Sequence, residues 1–366
     1  MKKYLKYFVV FLAVVITACS NNNEVVVGGT ISLTGDNALQ GNRGLNAILL
    51  SIDFANGNGG INGKRIKFVS EDTQTSAKGA INAFSKLTKA NDVSAVISTG
   101  DIEFQALNEI TKSTEIVTLA TICSGMLENN RSPYLFRYCF NEKTQDEYIM
   151  KFIKNDLEER QIALFYPNNS WGQEINKYCE MEAKEFGLSI SFKESFEPNT
   201  SDQRAVATKI MNSNPNIIIA KGFGSAFEAV LRNLSELGYK GKIIGDLTIS
   251  LPGTINNTKG IIEGAYSISS DIKENGNGLA SRYKSAYKKK YGEDPSVWDA
   301  LAFDSSQYLL AALKIADEKN IPLKQAMYSV EDVQLLLGNN KFGNSNDVEF
   351  EMSVYKITNG VPQLIK

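Results

Sequence analysis

The sequence of 366 residues contains no histidine. Serine–histidine–aspartate and cysteine–histidine catalysis both need an imidazole as the base, so neither mechanism is available to this chain. The commonest protein ligand of transition metals and the usual switch near neutral pH are missing as well. Because pairs of carboxylates can hydrolyse substrates without histidine, the absence disfavours an enzyme but does not exclude every kind.

Cysteine and net charge are also scarce. Besides Cys19, the chain has Cys123, Cys139 and Cys179, and no CxxC spacing indicates a metal site. A disulfide between Cys123 and Cys139 and three buried free thiols are both compatible with this number and spacing. The formal net charge is −2, which gives no reason to expect a nucleic acid as a partner.

Long apolar runs are absent. The run at residues 8–16 follows three lysines and falls short of the about 20 residues that a membrane-spanning helix needs. A basic start followed by a short apolar core predicts a secretory signal peptide over residues 1–18. Residues 16–19, ITAC, resemble the bacterial lipobox, in which the sulfur of the cysteine, here Cys19, carries a diacylglycerol. An ordinary signal peptide with a chance cysteine is the alternative.

The polar residues 19–23 suit a lipidated tether. We therefore expect an exported protein that is anchored by lipid to a bacterial membrane and faces the periplasm or the cell exterior. No later segment of the sequence is long and apolar enough to be a transmembrane helix.

The rest of the chain alternates strand patterns with helix patterns. Residues 24–31, EVVVGGTI, form the continuous apolar run that is typical of a parallel strand covered on both faces. Apolar residues then recur at helical spacing until the glycine- and asparagine-rich run at 56–63 ends the helix. Further strand and helix patterns follow in the same order. The series predicts a doubly wound α/β sheet.

This order restarts at residues 161–172, QIALFYPNNSWG, and again gives strand, helix, strand, helix and strand. Two similar α/β units in one chain predict a protein of two lobes. The length of the chain agrees with two domains.

Residues 29–87 resemble the start of a type I periplasmic binding protein, closest to the leucine/isoleucine/valine-binding group that delivers ligands to ABC importers. The shared features are a TG turn after the first strand, GGINGK before the second strand and an acidic pair after it. The ending at 341–360 is similar to the end of that family. The resemblance implies an α/β fold of two Rossmann-like lobes with parallel sheets joined by a three-strand hinge, without enzymatic activity, cofactor or metal.

The resemblance also implies that the chain crosses between the lobes near residues 141–144, 269–271 and 346–349. Lobe one would then consist of residues 24–142 plus 272–346, and lobe two of residues 143–271 plus 347–366. Three short crossings form a hinge, so the closure of the lobes should be a directed rotation.

In open α/β sheets, ligands bind beyond the carboxyl ends of the strands, beside the N-termini of helices. In lobe one, the contacts implied by the family are a backbone N–H near Asp101 or Ile102 and the hydroxyl of Ser124, both for a carboxylate. The carbonyl of Cys123 would accept from an α-ammonium group. Gln40 replaces the family's aromatic residue in the first loop, which weakens the case for an apolar contact there.

In lobe two, Trp171 stands where the family carries an aromatic residue that covers the ligand, and Phe223 stands near a second such position. Aromatic faces attract a desolvated ammonium group by roughly 0.5–2 kcal/mol. A hinge or core position is the alternative for Trp171.

Three residues depart from the family pattern. We expect Asp101 to act as the N-cap of its helix, where it would compete with a ligand carboxylate. The family's acidic residue aligns with Leu247, so either the adjacent Asp246 binds the ammonium group or the ligand has none. Lys221 is unusual at a strand end; we expect its ammonium group to reach solvent, with inward pairing to an anion as the alternative.

These features predict an extracytoplasmic solute-binding lipoprotein of an ABC importer, a monomer that captures an amino acid or a related small acid or amide. Its partners would be the importer's permease and, through the lipid, a membrane. The first alternative is a sensory lipoprotein that presents its closed form to a membrane receptor. The second is a surface hydrolase that depends on carboxylates.

Overall fold

The structure is a computed structural model, and it describes residues 23–123, 130–258, 260–274, 278–343 and 346–366. The strands are β1 (Glu24–Ile31), β2 (Arg65–Asp72), β3 (Ala95–Thr99), β4 (Thr118–Thr121), β5 (Leu135–Tyr138), β6 (Ile162–Pro167), β7 (Ile190–Phe196), β8 (Ile217–Ala220), β9 (Lys242–Gly245), β10 (Tyr266–Ser269), β11 (Ser353–Thr358) and β12 (Val361–Leu364).

The first six helices are α1 (Ala38–Gly57), α2 (Ala77–Ala90), α3 (Asp101–Ala106), α4 (Asn108–Thr114), α5 (Glu142–Phe152) and α6 (Ser170–Glu185). The next six are α7 (Arg204–Asn212), α8 (Gly224–Glu236), α9 (Pro252–Thr258), α10 (Leu279–Tyr291), α11 (Val297–Lys319) and α12 (Leu323–Met327). A π-helical turn (Ile153–Leu157) continues α5, and a 3₁₀ turn (Leu247–Ser250) follows β9.

The first sheet belongs to the predicted lobe one and has the strand order β2-β1-β3-β4-β5, with all neighbours parallel. β1 lies inside this sheet, and its C-terminal half is fully buried. This explains its continuous apolar sequence, because a parallel strand is covered by helices on both faces. α11 returns from late in the chain to pack against α1 and β4.

The second sheet belongs to the predicted lobe two and has the order β12-β11-β10-β9-β8-β6-β7. The five strands β10, β9, β8, β6 and β7 are parallel to one another. β11 pairs antiparallel with β10, and β11 and β12 form an antiparallel hairpin at this end of the sheet. The prediction of an α/β fold with parallel sheets in two lobes is confirmed. The exact residues at which each lobe begins and ends stay a prediction.

The segment at residues 346–348, where the sequence predicts the third passage between the lobes, lies beside β5. The backbone N–H of Arg137 in β5 donates to the carbonyl of Asn346 at 2.8 Å, and that of Val348 donates to the carbonyl of Arg137 at 3.2 Å. The side chain of the intervening Asp347 pairs with Arg137 at 2.8 Å and with Arg131 at 2.6 Å. Segments more than 200 residues apart in sequence are therefore joined at β5.

The cysteines resolve the choice that the sequence left open. Cys123 and Cys139 form a disulfide, and Cys179 is a buried free thiol. The disulfide joins the loop after β4 to the residue that follows β5. Within the residues that the structure describes, no helix combines the length and apolarity needed to cross a membrane.

Candidate functional site

The predicted binding loops lie at the carboxyl ends of the parallel strands in both lobes. In each lobe, glycine sets the helix that follows the first strand of the lobe close to the sheet: a Cβ atom on Gly41 in α1 would clash with the carbonyl of Ser32, and one on Gly172 in α6 would clash with the carbonyl of Pro167. α1 and α6 therefore begin directly at the strand ends, as expected for a ligand site at this edge.

The structure places the predicted residues of lobe one as follows. Gln40 is partly buried in the first turn of α1, and Ile102 is exposed in the first turn of α3. Cys123 is buried and belongs to the disulfide. The predicted ligand residue Ser124 and the predicted lipidation residue Cys19 lie outside the described residues.

The expectation that Asp101 caps its helix is wrong. The N-cap of α3 is Gly100, which has a φ of 101°, and no side chain makes a capping hydrogen bond there. Glycine adopts this backbone conformation without the strain that a Cβ atom adds. The helix therefore begins at Asp101, one residue earlier than a cap at Asp101 would give. Burial lowers the pKa of the Arg137 guanidinium, and this effect is opposed by Asp347 and, to a smaller extent, by Asp101.

Glu103 is a buried acid at the same edge that the sequence analysis missed. Its Oε1 accepts from the hydroxyl of Ser32 at 2.7 Å and from that of Thr73 at 2.5 Å. Because Ser32 follows β1 and Thr73 follows β2, this carboxylate joins two strand ends to α3. Its neighbour Asp101 and its place in the first turn of a helix were the available signals.

Trp171 and Phe223 meet at the corresponding edge of lobe two. Trp171 lies in the first turn of α6, and Phe223 precedes α8. Their ring centroids are 5.4 Å apart with an interplanar angle of 42°. Phe223 is 44% exposed, and Trp171 is partly buried. The sequence thus selected two residues that the fold brings together, although their role in binding stays a prediction.

Lys221 does not reach solvent, so that expectation is wrong. Its side chain is fully buried, and its Nζ lies 2.9 Å from Glu142, 2.9 Å from Asp146 and 3.4 Å from Asp246. We call these four residues the Lys221 cluster. The alternative of inward pairing applies, because a lysine with a fully buried ammonium group needs anionic partners.

The cluster is joined to the aromatic pair and to the turn after β9. The indole N–H of Trp171 donates to Oε1 of Glu142 at 2.9 Å. Oδ1 of Asp246 accepts from the backbone N–H of Thr248 at 2.9 Å and from its hydroxyl at 2.5 Å. The predicted ligand residue Asp246 is therefore buried and bonded within the protein.

Charge in the cluster is only partly balanced. Burial lowers the pKa of Lys221, but Asp146, Glu142 and Asp246 outweigh it, so the pKa is raised well above its usual value. Burial raises the pKa of Asp146 to about 7 despite the opposing effect of Lys221. Burial likewise raises the pKa of Asp246. The cluster therefore favours the charged form of Lys221, whereas burial favours the neutral forms of Asp146 and Asp246.

Glu142 and Asp146 were also not predicted from the sequence as residues near the site. They are four residues apart in α5, so they lie on one face of that helix. A pair of acids at this spacing is usually an exposed feature. Only the three-dimensional structure shows that Lys221, which is 79 residues from Glu142 in sequence, lies against this face.

A separate cavity of about 320 Å³ lies in lobe one, away from these loops. Its lining includes Val25, Lys64 and Ser94, which are at the N-terminal ends of β1, β2 and β3. Because ligands of open α/β sheets bind at the opposite edge, we do not assign this cavity to the candidate site.

Comparison with known proteins agrees with the architecture. A sequence model of the family described as periplasmic binding protein matches residues 24–361. The chain belongs to the periplasmic binding protein family. It is a solute-binding protein and not an enzyme, and membership implies an extracytoplasmic location.

Two similar relatives of this periplasmic binding protein have names that include their ligands. Leu/Ile/Val-binding protein homolog 7 of Brucella suis is 24% identical over 327 residues, which cover 84% of this chain and 82% of the relative. An amino acid binding protein of Pseudomonas aeruginosa is 22% identical and covers 89% of this chain and 88% of its own.

Solved structures show the same fold. A leucine-binding protein from Thermotoga maritima has a TM-score of 0.82 at 18% identity and covers 93% of this chain and 98% of its own. A branched-chain amino acid transporter substrate-binding protein from Streptococcus pneumoniae, solved with isoleucine, has a TM-score of 0.82 at 20% identity and covers 94% and 99%.

Proposed function

We propose that this protein captures a small solute related to amino acids between its two lobes and delivers it to an ABC importer. The observation that carries the proposal is the aromatic pair Trp171 and Phe223 at the carboxyl edge of the lobe-two sheet. An exposed phenylalanine beside a hydrogen-bonded tryptophan offers apolar surface at the edge where α/β sheets bind ligands. The names of the relatives and the isoleucine in one similar structure support a ligand of this size.

The proposed mechanism is binding with closure. The solute first contacts the loops of lobe one, including Gln40 and Ile102, and its contacts with lobe two then stabilise the closed form. Only a difference in affinity between the open and closed forms can drive this change. A dissociation constant of about 1 μM corresponds to about −8 kcal/mol, which a few hydrogen bonds and apolar burial supply after ordering costs.

We also propose that the mature protein is a monomer attached to a membrane through a lipid on Cys19. The lobes would have the residue bounds predicted from the sequence, and the permease of an importer would recognise the closed form. Co-purification of a permease supports this assignment. Co-purification of a sensor kinase instead would favour the sensory role.

Isothermal titration calorimetry with amino acids, amides and small organic acids tests the proposal. We expect saturable heat with at least one solute, and weaker binding after Phe223→Ala because the apolar contact is lost. Leu364→Ala is the matched control, since Leu364 is an exposed apolar residue on the edge strand β12 of the same lobe. Absence of saturable heat from every solute, with the protein folded, would contradict the proposal.

A further inference from the structure

We propose that the cleft selects small solutes without a primary ammonium group, and that Lys221 is the residue that determines this selectivity. The inference rests on the proposed function and defines the chemical class of its solute. It starts from the Lys221 cluster, in which the protein supplies its own ammonium group to the acids of lobe two.

The acids of the cluster are paired with the protein's own lysine. A lysine ammonium group has three N–H donors, and Lys221 has one carboxylate oxygen each from Glu142, Asp146 and Asp246 within 3.4 Å. The other oxygen of Glu142 accepts from the indole of Trp171, and the other oxygen of Asp246 accepts from Thr248. Asp146 pairs with Lys221 through one oxygen, and neither of its buried oxygens makes a hydrogen bond of good geometry.

Burial keeps the same four side chains from contact with a solute. The side chains of Lys221 and Asp146 are 0% exposed, that of Glu142 is 1% exposed and that of Asp246 is 3% exposed. A solute ammonium group also needs three acceptors. Reaching these carboxylates would require displacing Lys221, which would leave either the lysine or the solute as a buried charge without partners.

The acids of α3 in lobe one are engaged as well. Glu103 is buried and accepts from Ser32 and Thr73. Asp101 interacts with the buried Arg137. Asp36, in the loop after β1, is exposed, and an ion pair in that setting contributes little because water screens it.

The surface that lobe two leaves for a solute is aromatic. The partly exposed pair Trp171 and Phe223 suits an apolar group, and its ring faces, although they attract an ammonium group weakly, do not supply the three hydrogen-bond acceptors that such a group needs. The class that fits is therefore a small organic acid or amide with an apolar part and no ammonium group, such as a 2-oxo acid.

Matched solutes test the inference by calorimetry. The probes are the amino acid, the corresponding 2-oxo acid and the corresponding deaminated amide for the side chains of alanine, valine, leucine and phenylalanine. We expect the wild type to bind a 2-oxo acid or a deaminated amide at least about ten-fold more tightly than the matching amino acid. Equal or tighter binding of the amino acid overturns the inference but leaves the proposed function intact. Absence of binding by any probe counts against both.

Substitution of the cluster tests the role of Lys221 itself. Lys221→Met leaves three buried acids without a cation, so the triple variant Lys221→Met, Glu142→Gln, Asp146→Asn provides a second protein in which Asp246 is the remaining acid. We expect affinity for the amino acids to rise relative to their 2-oxo acids by about ten-fold in this variant. Lys209→Met, which removes an exposed lysine of the same lobe, should leave the ratio unchanged. An unchanged ratio in a folded triple variant would refute the assignment to Lys221.

Discussion

Asp304 in lobe one and the acids around Lys221 in lobe two are satisfied in different ways. In lobe one, Asp304 in α11 is fully buried, and its two oxygens accept the backbone N–H groups of Leu336 at 2.7 Å and Leu337 at 2.8 Å. In lobe two, Lys221 serves three acids. The backbone N–H groups of Leu336 and Leu337 hold their loop against α11. Lys221, which follows β8, instead pairs with acidic side chains from α5 and from the end of β9.

This difference separates structural acids from acids near the site. Burial raises the pKa of Asp304 to about 8 and that of Asp146 to about 7, so a shifted pKa alone does not distinguish them. The Lys221 cluster differs because it is hydrogen-bonded to Trp171, which is half of the aromatic pair. We infer that contact with the site, and not burial or charge, identifies the acids that influence binding.

The largest expected effect is on the stability of lobe two. Lys221→Met should lower the free energy of unfolding by about 3–5 kcal/mol, because removing one partner leaves uncompensated buried charge. Urea unfolding followed by circular dichroism measures it. The control Lys209→Met should change stability by no more than about 0.5 kcal/mol. A loss below about 1 kcal/mol for Lys221→Met would show that the acids do not depend on the lysine.

A smaller effect is expected in lobe one. Asp304→Ala leaves the backbone N–H groups of Leu336 and Leu337 without their acceptor, at a cost of about 2 kcal/mol in the free energy of unfolding. The same urea titration measures it. Asp317→Ala, at a partly exposed position later in the same helix, should have little effect. If the two variants were equally stable, the two N–H groups would have found other partners.

The third effect, which is the smallest when counted for one group over one pH unit, is a dependence on pH. Asp304 and Asp146 have pKa values above their usual value of 3.8, so the folded protein binds more protons than the unfolded chain between about pH 4 and pH 8. Stability from these groups is complete below about pH 4 and is lost as the pH rises through their folded pKa values. Each contributes a slope of up to about −1.4 kcal/mol per pH unit.

Unfolding measured from pH 5 to pH 8 tests this dependence. Asp304→Ala should have a shallower decline than the wild type, whereas Asp317→Ala should retain the wild-type slope, since the pKa of Asp317 is lowered by Lys64 and Asn62 and this group titrates at lower pH. Identical slopes in Asp304→Ala and the wild type would mean that Asp304 does not titrate in this range.

The alternation of strands and helices was predictable because it depends on local patterns. The end of α1 at its glycine-rich turn and the strands β1 to β3 follow from neighbouring residues. β5 was not predicted, because its four residues include the buried Arg137, whose partner Asp347 is 210 residues away. Without knowledge of a distant acidic partner, an arginine in a short segment indicates that the segment lies at the protein surface.

The site was predictable to the extent that it follows strand ends. The resemblance to the family selected Trp171, Phe223 and Asp246 in loops that follow parallel strands, and the structure brings them near one another around the Lys221 cluster. The burial of Lys221 was not predictable, because it depends on Glu142 and Asp146 in a distant helix. The capping by Gly100 was missed because a positive φ leaves no local sequence signal beyond the glycine itself.

Small-angle X-ray scattering, with and without the solute that gives the largest saturable heat, tests the central claim most directly. If the two lobes close on a solute, the radius of gyration falls as solute is added and saturates at the concentration found by calorimetry. A radius of gyration that stays constant at saturating solute would contradict capture by closure.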